Sequence, residues 1–183
     1  MKKIPTIFLR DKNDMSRVTE FINPVCKWVL DGEGDATEQY DGTCCMIKDG
    51  NFYKRREVKK NKAIPNNFIE AEYDPNTGKR FGWVPVTNTT EDKYHREAYE
   101  SAPILTDGTY ELLGPKVQGN PGKLYAHILM LHRSALRFKN FPRSYNGIKK
   151  ALLGMDVEGI VFHHPDGRMA KIKKRDFGLS REG

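Results

Sequence analysis

The chain has 183 residues, 38% hydrophobic and 30% charged: enough apolar material for a packed core, and too much charge for a membrane protein. A net charge of +7 favours an acidic partner, nucleic acid or nucleotide phosphate being the commonest, and no stretch approaches the roughly 20 apolar residues of a membrane span. The three cysteines, Cys26, Cys44 and Cys45, show neither Cys-x-x-Cys nor zinc spacing, which argues against a disulfide framework and for a reducing compartment.

The basic opening Met1-Lys2-Lys3 leads into an apolar run cut short by Pro5 and Arg10, so it reads as a mature cytoplasmic start and not a signal peptide. Ile4 to Leu9 is expected to be a strand. Met15 to Ile22 is expected to be a short helix, because Val18, Phe21 and Ile22 fall at helical spacing, and Val25 to Leu30 a strand. The turn Asp31-Gly32-Glu33-Gly34 delivers the chain to Thr37-Glu38-Gln39-Tyr40-Asp41-Gly42-Thr43. Thr43 to Ile47 and Phe52 to Arg55 flank Asp49-Gly50, a strong hairpin signal. This sets Gln39 just before one strand, with Arg55 and Arg56 at the far end of its partner and both ends facing one pocket.

Lys59 to Asn67 reads as a loop, Asp74-Pro75-Asn76-Thr77-Gly78 as a turn, Phe81 to Val86 as a strand and Thr87 to Ser101 as mobile or helical. In the strand pattern Asp107 to Lys116, Glu111 stands among apolar residues, where a carboxylate is costly unless it is paired. Its plain reading is an outward-facing strand residue; its sharper one is a ribose or metal ligand. Lys123 to His132 is an apolar run expected to be a buried strand. Ser144 caps a helix through Leu153, with Tyr145, Ile148 and Leu152 on one side and Gly154 at its end. Asp156 to Phe162 is a strand enclosing Glu158, and in Met169 to Lys174 the residues Lys171 and Lys173 project from one face. With no repeat and no Pro, Gly or Ser-rich linker, residues 1–183 read as a single domain.

Each element has a plain counterpart. Lys171 and Lys173 fit a solvated strand face. His163 and His164 point to opposite sides of a strand and lack suitably spaced partners, so they are no zinc site. At least one of Cys44 and Cys45 belongs in the core. Yet the islands share a chemical logic, because nucleotidyl transfer needs a nucleophile near the α-phosphate, cations for developing charge, carboxylates for Mg²⁺ and a ribose-binding group. One or two carboxylates suffice for Mg²⁺, which keeps much of its hydration.

Gln39-x-Asp41-Gly42, Arg55, Glu111, Glu158-Gly159-Ile160-Val161 and Lys171-Ile172-Lys173 resemble the five collinear motifs of the covalent nucleotidyltransferases, the superfamily of ATP-dependent ligases and GTP-dependent capping enzymes. Gly32 to Glu38, Asp41 to Cys45, Glu111 to Lys116 and His164 to Lys173 resemble one branch, the ATP-dependent 5′-to-3′ RNA ligases. The resemblance implies an α+β nucleotidyltransferase domain with antiparallel sheets flanked by helices. It implies ATP and Mg²⁺ (or Mn²⁺) as cofactors, and RNA bearing 5′-phosphate and 3′-hydroxyl ends as partner. In that family ATP adenylylates a lysine, AMP passes to the RNA 5′-phosphate, and the 3′-hydroxyl displaces it.

By the same resemblance, Gln39 stands where the family has its nucleophilic lysine; Thr37, Glu38, Asp41 and Gly42 border the nucleotide, Glu38 through its backbone. Arg55, or alternatively Arg56, contacts ribose or substrate phosphate, and Glu111 the ribose 2′-hydroxyl or the water around Mg²⁺. Asp41, Glu111 and Glu158 form the metal set, Lys171 and Lys173 hold the α-phosphate, and Trp83 and Phe138 are candidates for adenine stacking. DNA ligases and capping enzymes append an oligonucleotide-binding barrel after the last motif, and the few residues after Lys173 leave no room for one, which favours the RNA-ligase branch. Gln39 cannot form a lysine-AMP bond. It is read first as an engineered substitution that holds unreacted ATP, and second as the mark of a natural pseudoenzyme that binds nucleotide or RNA. An RNA-binding module is the non-enzymatic alternative, with Phe138, Lys139, Phe141 and Arg143 as aromatic and basic contacts.

Overall fold

The computed structural model describes residues 2–180. Its elements are β1 (Phe8–Arg10), β2 (Val18–Ile22), α1 (Lys27–Leu30), β3 (Asp35–Gln39), β4 (Thr43–Lys48), β5 (Asn51–Val58), β6 (Ile69–Asp74), β7 (Lys79–Pro85), α2 (Lys93–Ser101), β8 (Gly108–Leu113), β9 (Ile128–Leu131), β10 (Arg137–Phe138), α3 (Tyr145–Leu153), β11 (Gly159–His163) and β12 (Met169–Lys173). The fold is α+β, and its strands pair antiparallel in three sheets. Among the described residues no helix is long and apolar enough to cross a membrane. The chain divides into two compact units, Asp41–Ser134 with the residues through Lys3, and Ile4–Tyr40 with Ala135–Gly183.

The first unit is built on a six-stranded sheet in the order β6-β7-β5-β4-β8-β9. The β4–β5 hairpin turns through Asp49 and Gly50 at φ 51° and 71°, the two left-handed positions that match the right-handed twist of the strands. One face of β4 and β8 supplies Cys45, Ile47, Tyr110 and Leu112 to a core closed by Ala98 of α2 and Val117. Lys54 on β5 pairs at 2.6 Å with the buried Asp92, which also accepts from the Thr87 amide and hydroxyl at the entrance to α2.

The second unit holds the sheet β10-β3-β11-β12 and the β1–β2 ribbon. Ala36, Ile160, Phe162, Ala170 and Ile172 face a core that Ile148 and Leu152 of α3 cover. Ser144 accepts from the Gly147 amide at the start of α3, as its sequence position predicts.

Five expected elements differ. Of Ile4 to Leu9 only Phe8 and Leu9 lie in β1, Pro5 having no amide hydrogen to pair, and β11 begins at Gly159, so that Glu158 precedes the strand instead of standing within it. Residues 18–22 form β2 and not a helix: five residues with Val18 and Ile22 at the ends fit either period, and Val, Thr and Ile favour the strand. Residues 24–30 form a 3-10 turn and α1 and not a strand, because Asn23 accepts from the Val25 amide and Pro24 occupies the first helical position. In the Lys123–His132 run only Ile128–Leu131 is a strand, and Tyr125 is fully exposed. Asn120 and Lys123 take left-handed φ of 54° and 51°, and the Asn120 side chain bridges the Leu124 amide and carbonyl, which holds the segment as a loop.

Candidate functional site

In the second unit, Gln39 is paired with Gly159 and Gly159 with Lys173; one step along, Thr37 is paired with Val161 and Val161 with Lys171. Directly opposed residues of an antiparallel sheet share a face, so Thr37, Gln39, Lys171 and Lys173 project together, away from the Ile160–Phe162 core. Gln39 therefore ends β3 in this sheet, and as expected it stands just ahead of β4, which begins the hairpin of the other sheet. Gly159, between Gln39 and Lys173, carries no side chain because β12 runs too close for one: a Cβ there would lie 2.2 Å from the Ile172 carbonyl oxygen.

The electrostatics of this row are those of a small cationic site. Lys173 Nζ donates to Glu158, whose side chain is only 11% exposed and sits immediately before β11. Burial, and then the like charge of Lys173, hold the Lys171 ammonium below its ordinary pKa, with Glu158 opposing. Thr37 Oγ1 lies 2.9 Å from His163 Nε2 and donates to the Val161 carbonyl. Gln39 Oε1 is buried and has no hydrogen-bond partner. Such an acceptor costs on the order of 1–3 kcal/mol until a donor reaches it. Glu38 pairs with Ile160 and so projects from the opposite face to Gln39, and its amide is spent on the Leu136 carbonyl.

Of the expected nucleotide and metal contacts not yet placed, all but Phe138 belong to the first unit. Gly42 lies against β8, where a Cβ would meet the Leu112 carbonyl oxygen at 2.2 Å and the Glu111 side chain at 2.8 Å; Asp41 precedes it, half-buried. Arg55 and Arg56 are adjacent in β5 and point to opposite faces. Arg55 is half-buried, its guanidinium 5.1 Å over the Trp83 ring and 5.8 Å over Phe81, whereas Arg56 is exposed. Trp83 is 2% exposed. In the second unit, Phe138 packs against the core beside Phe141.

Glu111 has the partner its place in an apolar strand calls for: His132 Nε2 lies 2.9 Å from its Oε2. His132 bears no mark of its own in the sequence. The cost of an unpaired carboxylate at Glu111 was the available signal, and the candidates for a partner were the cations of neighbouring strands. His163 and His164 take different partners, Thr37 and Glu33 respectively, in keeping with their opposite directions.

Zebrafish (Danio rerio) RNA ligase 1 is 26% identical to this chain over an alignment of 265 positions that takes in 97% of the chain and 81% of that protein. The alignment is longer than the chain, so the zebrafish protein carries segments this one lacks. The likeness supports a relationship to RNA ligases. No protein-family model matches the sequence.

Proposed function

We propose that this chain is an RNA ligase relative that binds ATP with Mg²⁺ (or Mn²⁺) and is stopped before self-adenylylation by Gln39. The carrying observation is the shared face of Gln39, Thr37, Lys171 and Lys173 around the bare lane at Gly159. Two ammonium groups at this spacing suit a phosphate, and the orphaned Gln39 Oε1 awaits a donor that a hydrated nucleotide carries. Glu158, an oxygen donor beside them, fits a hard cation held largely through water. When bound, the metal neutralises charge on the phosphates. Lys171 and Lys173 orient the α-phosphate, and the low-dielectric setting of Lys171 strengthens that attraction. Arg55, Arg56, Glu111, Asp41 and Gly42, all in the first unit, keep the roles that the sequence resemblance assigns them.

Gln39 sets the limit of the chemistry. Its amide nitrogen lends its lone pair to the carbonyl and cannot attack phosphorus. A lysine in its place would present an amine across Gly159 from Lys173, whose charge together with that of Lys171 would favour the neutral, nucleophilic form. Sealing of RNA that is already adenylylated, with a 3′-hydroxyl displacing AMP, does not use that amine and is open to the chain as it stands.

Calorimetric titration with ATP and Mg²⁺ should show saturable binding without covalent label. Incubation with α-labelled ATP should leave AMP attached to the Gln39→Lys protein alone. The absence of binding heat would refute the pocket. Binding without label on the Gln39→Lys protein would favour the second reading, a nucleotide- or RNA-binding pseudoenzyme, which Gln39 itself supports.

A further inference from the structure

On the first unit's sheet, away from the Cys45–Ile47 core, β4 sets Cys44 directly opposite Glu111 of β8. His132, in the turn after β9, completes a group whose Sγ, carboxylate oxygen and imidazole nitrogen all lie within 4.8 Å of one another, each half-buried. We propose that Cys44, Glu111 and His132 bind one zinc-class divalent ion.

Three features carry this. The donor set, one thiolate, one imidazole and one carboxylate, is the mixed S/N/O set of a borderline ion and not the all-oxygen set of Mg²⁺. Tetrahedral zinc, with metal–ligand distances of about 2.0–2.3 Å, separates its ligand atoms by about 3.3–3.7 Å. The 2.9 Å between His132 Nε2 and Glu111 Oε2 and the 4.8 Å limit on the whole set bracket that separation, so side-chain rotation without strand movement brings the three atoms to it. Next, His132 Nδ1 lies 3.0 Å from Thr109 Oγ1. With its proton on Nδ1, donated to that hydroxyl, His132 presents the Nε2 lone pair beside the Glu111 carboxylate 2.9 Å away, ready to share an ion with it; without an ion, Nε2–H donating to Oε2 holds the same pair together. Finally, β5 runs beside β4 with Cys45 opposite Lys54, so Arg55 comes next in line beside Cys44, and its guanidinium offsets part of the negative charge that a metal-bound sulfur and the Glu111 carboxylate bring to the site. On binding, Cys44 Sγ releases its proton to solvent and the ion ties β4, β8 and the turn after β9 together. The three protein ligands leave a fourth position for water. Glu111 contributes Oε2, which leaves Oε1 for the ribose contact.

The site does not depend on the nucleotide reading, since a failure to bind ATP would leave the following titration unchanged. Chelator-stripped full-length protein is titrated with Co²⁺ and then Zn²⁺. The expected result is one equivalent of Co²⁺ with a thiolate-to-metal charge-transfer band, displaced by Zn²⁺, and a thermal midpoint raised by Zn²⁺. Cys44→Ser should abolish the band with circular dichroism unchanged, His132→Gln should lower affinity at least tenfold, and Thr109→Ala should lower it by on the order of 10–100-fold. Wild-type protein with no thiolate band, or a band that survives Cys44→Ser, overturns the assignment. Should Cys44→Ser fail to fold, loss of the band in His132→Gln decides in its place, and its persistence there overturns the site.

Discussion

His95 lies in α2 with both ring nitrogens buried and unbonded, 6.0 Å from the Phe52 ring. Burial pushes its pKa below the ordinary value; the Asp92 and Glu91 charges oppose this and Lys54 reinforces it. The unfolded chain takes up the proton near its ordinary value of about 6.5, and the folded one only at lower pH. Stability from this residue is therefore complete above about pH 6.5 and is lost as pH falls toward the folded value, by at most about 1.4 kcal/mol per pH unit. Urea unfolding of wild type and His95→Phe at successive pH values measures this, with a shallower slope expected for Phe. Equal slopes would mean that His95 is not the group responsible. At this scale Lys171 and Lys173 were readable from sequence, because a two-residue alternation against Ala170 and Ile172 fixes a shared face whatever the strand pairs with. Their alignment with Gln39 across Gly159 was not, since it rests on a register between strands more than a hundred residues apart.

Among the elements, α3 was legible because cap, apolar stripe and terminal glycine agree, whereas β2 and α1 are too short for periodicity to outweigh local chemistry. The same stripe makes α3 the place to measure how firmly the second unit's core holds the Gln39–Lys173 sheet. Leu152 is fully buried against that sheet's apolar face, so Leu152→Ala should cost about 2–5 kcal/mol from lost burial and the cavity left behind. Trp28 lies in the same core, and Trp83 is the other tryptophan, in the first unit. In a Trp83→Phe background, urea unfolding followed by Trp28 fluorescence should show the loss directly. A change below about 1 kcal/mol would mean that the core collapses around the cavity and that α3 contributes little to fixing the lysine face.

The whole molecule carries +7, yet part of its basic inventory is already committed internally: Arg10 to Asp176, Lys54 to Asp92, Lys79 to Glu57 and Arg80 to Glu70. Composition alone raises the expectation of an acidic partner. It carried no mark of the two units, because the second is discontinuous and the chain passes at Tyr40–Asp41 and Ser134–Ala135 without any change in residue type. RNA bound through its phosphates would be held by the charge of the whole molecule and not by any single contact. Each phosphate neutralised on a single strand lowers the slope of log K against log salt by about 0.7. An excess of +7, all of it engaged, would give a slope of about −5; a partner held chiefly by Lys171, Lys173 and a few neighbours gives one nearer −2 to −3. Fluorescence anisotropy with 5′-phosphorylated single-stranded RNA at increasing salt, for two unrelated sequences, should yield the same slope in that lower range. Lys171→Ala should make it shallower by about 0.7, because one phosphate contact is removed. A slope near zero would rule out a phosphate-led RNA partner. A slope that Lys171→Ala leaves unchanged would place the RNA on another face of the protein and confine the lysine pair to the nucleotide.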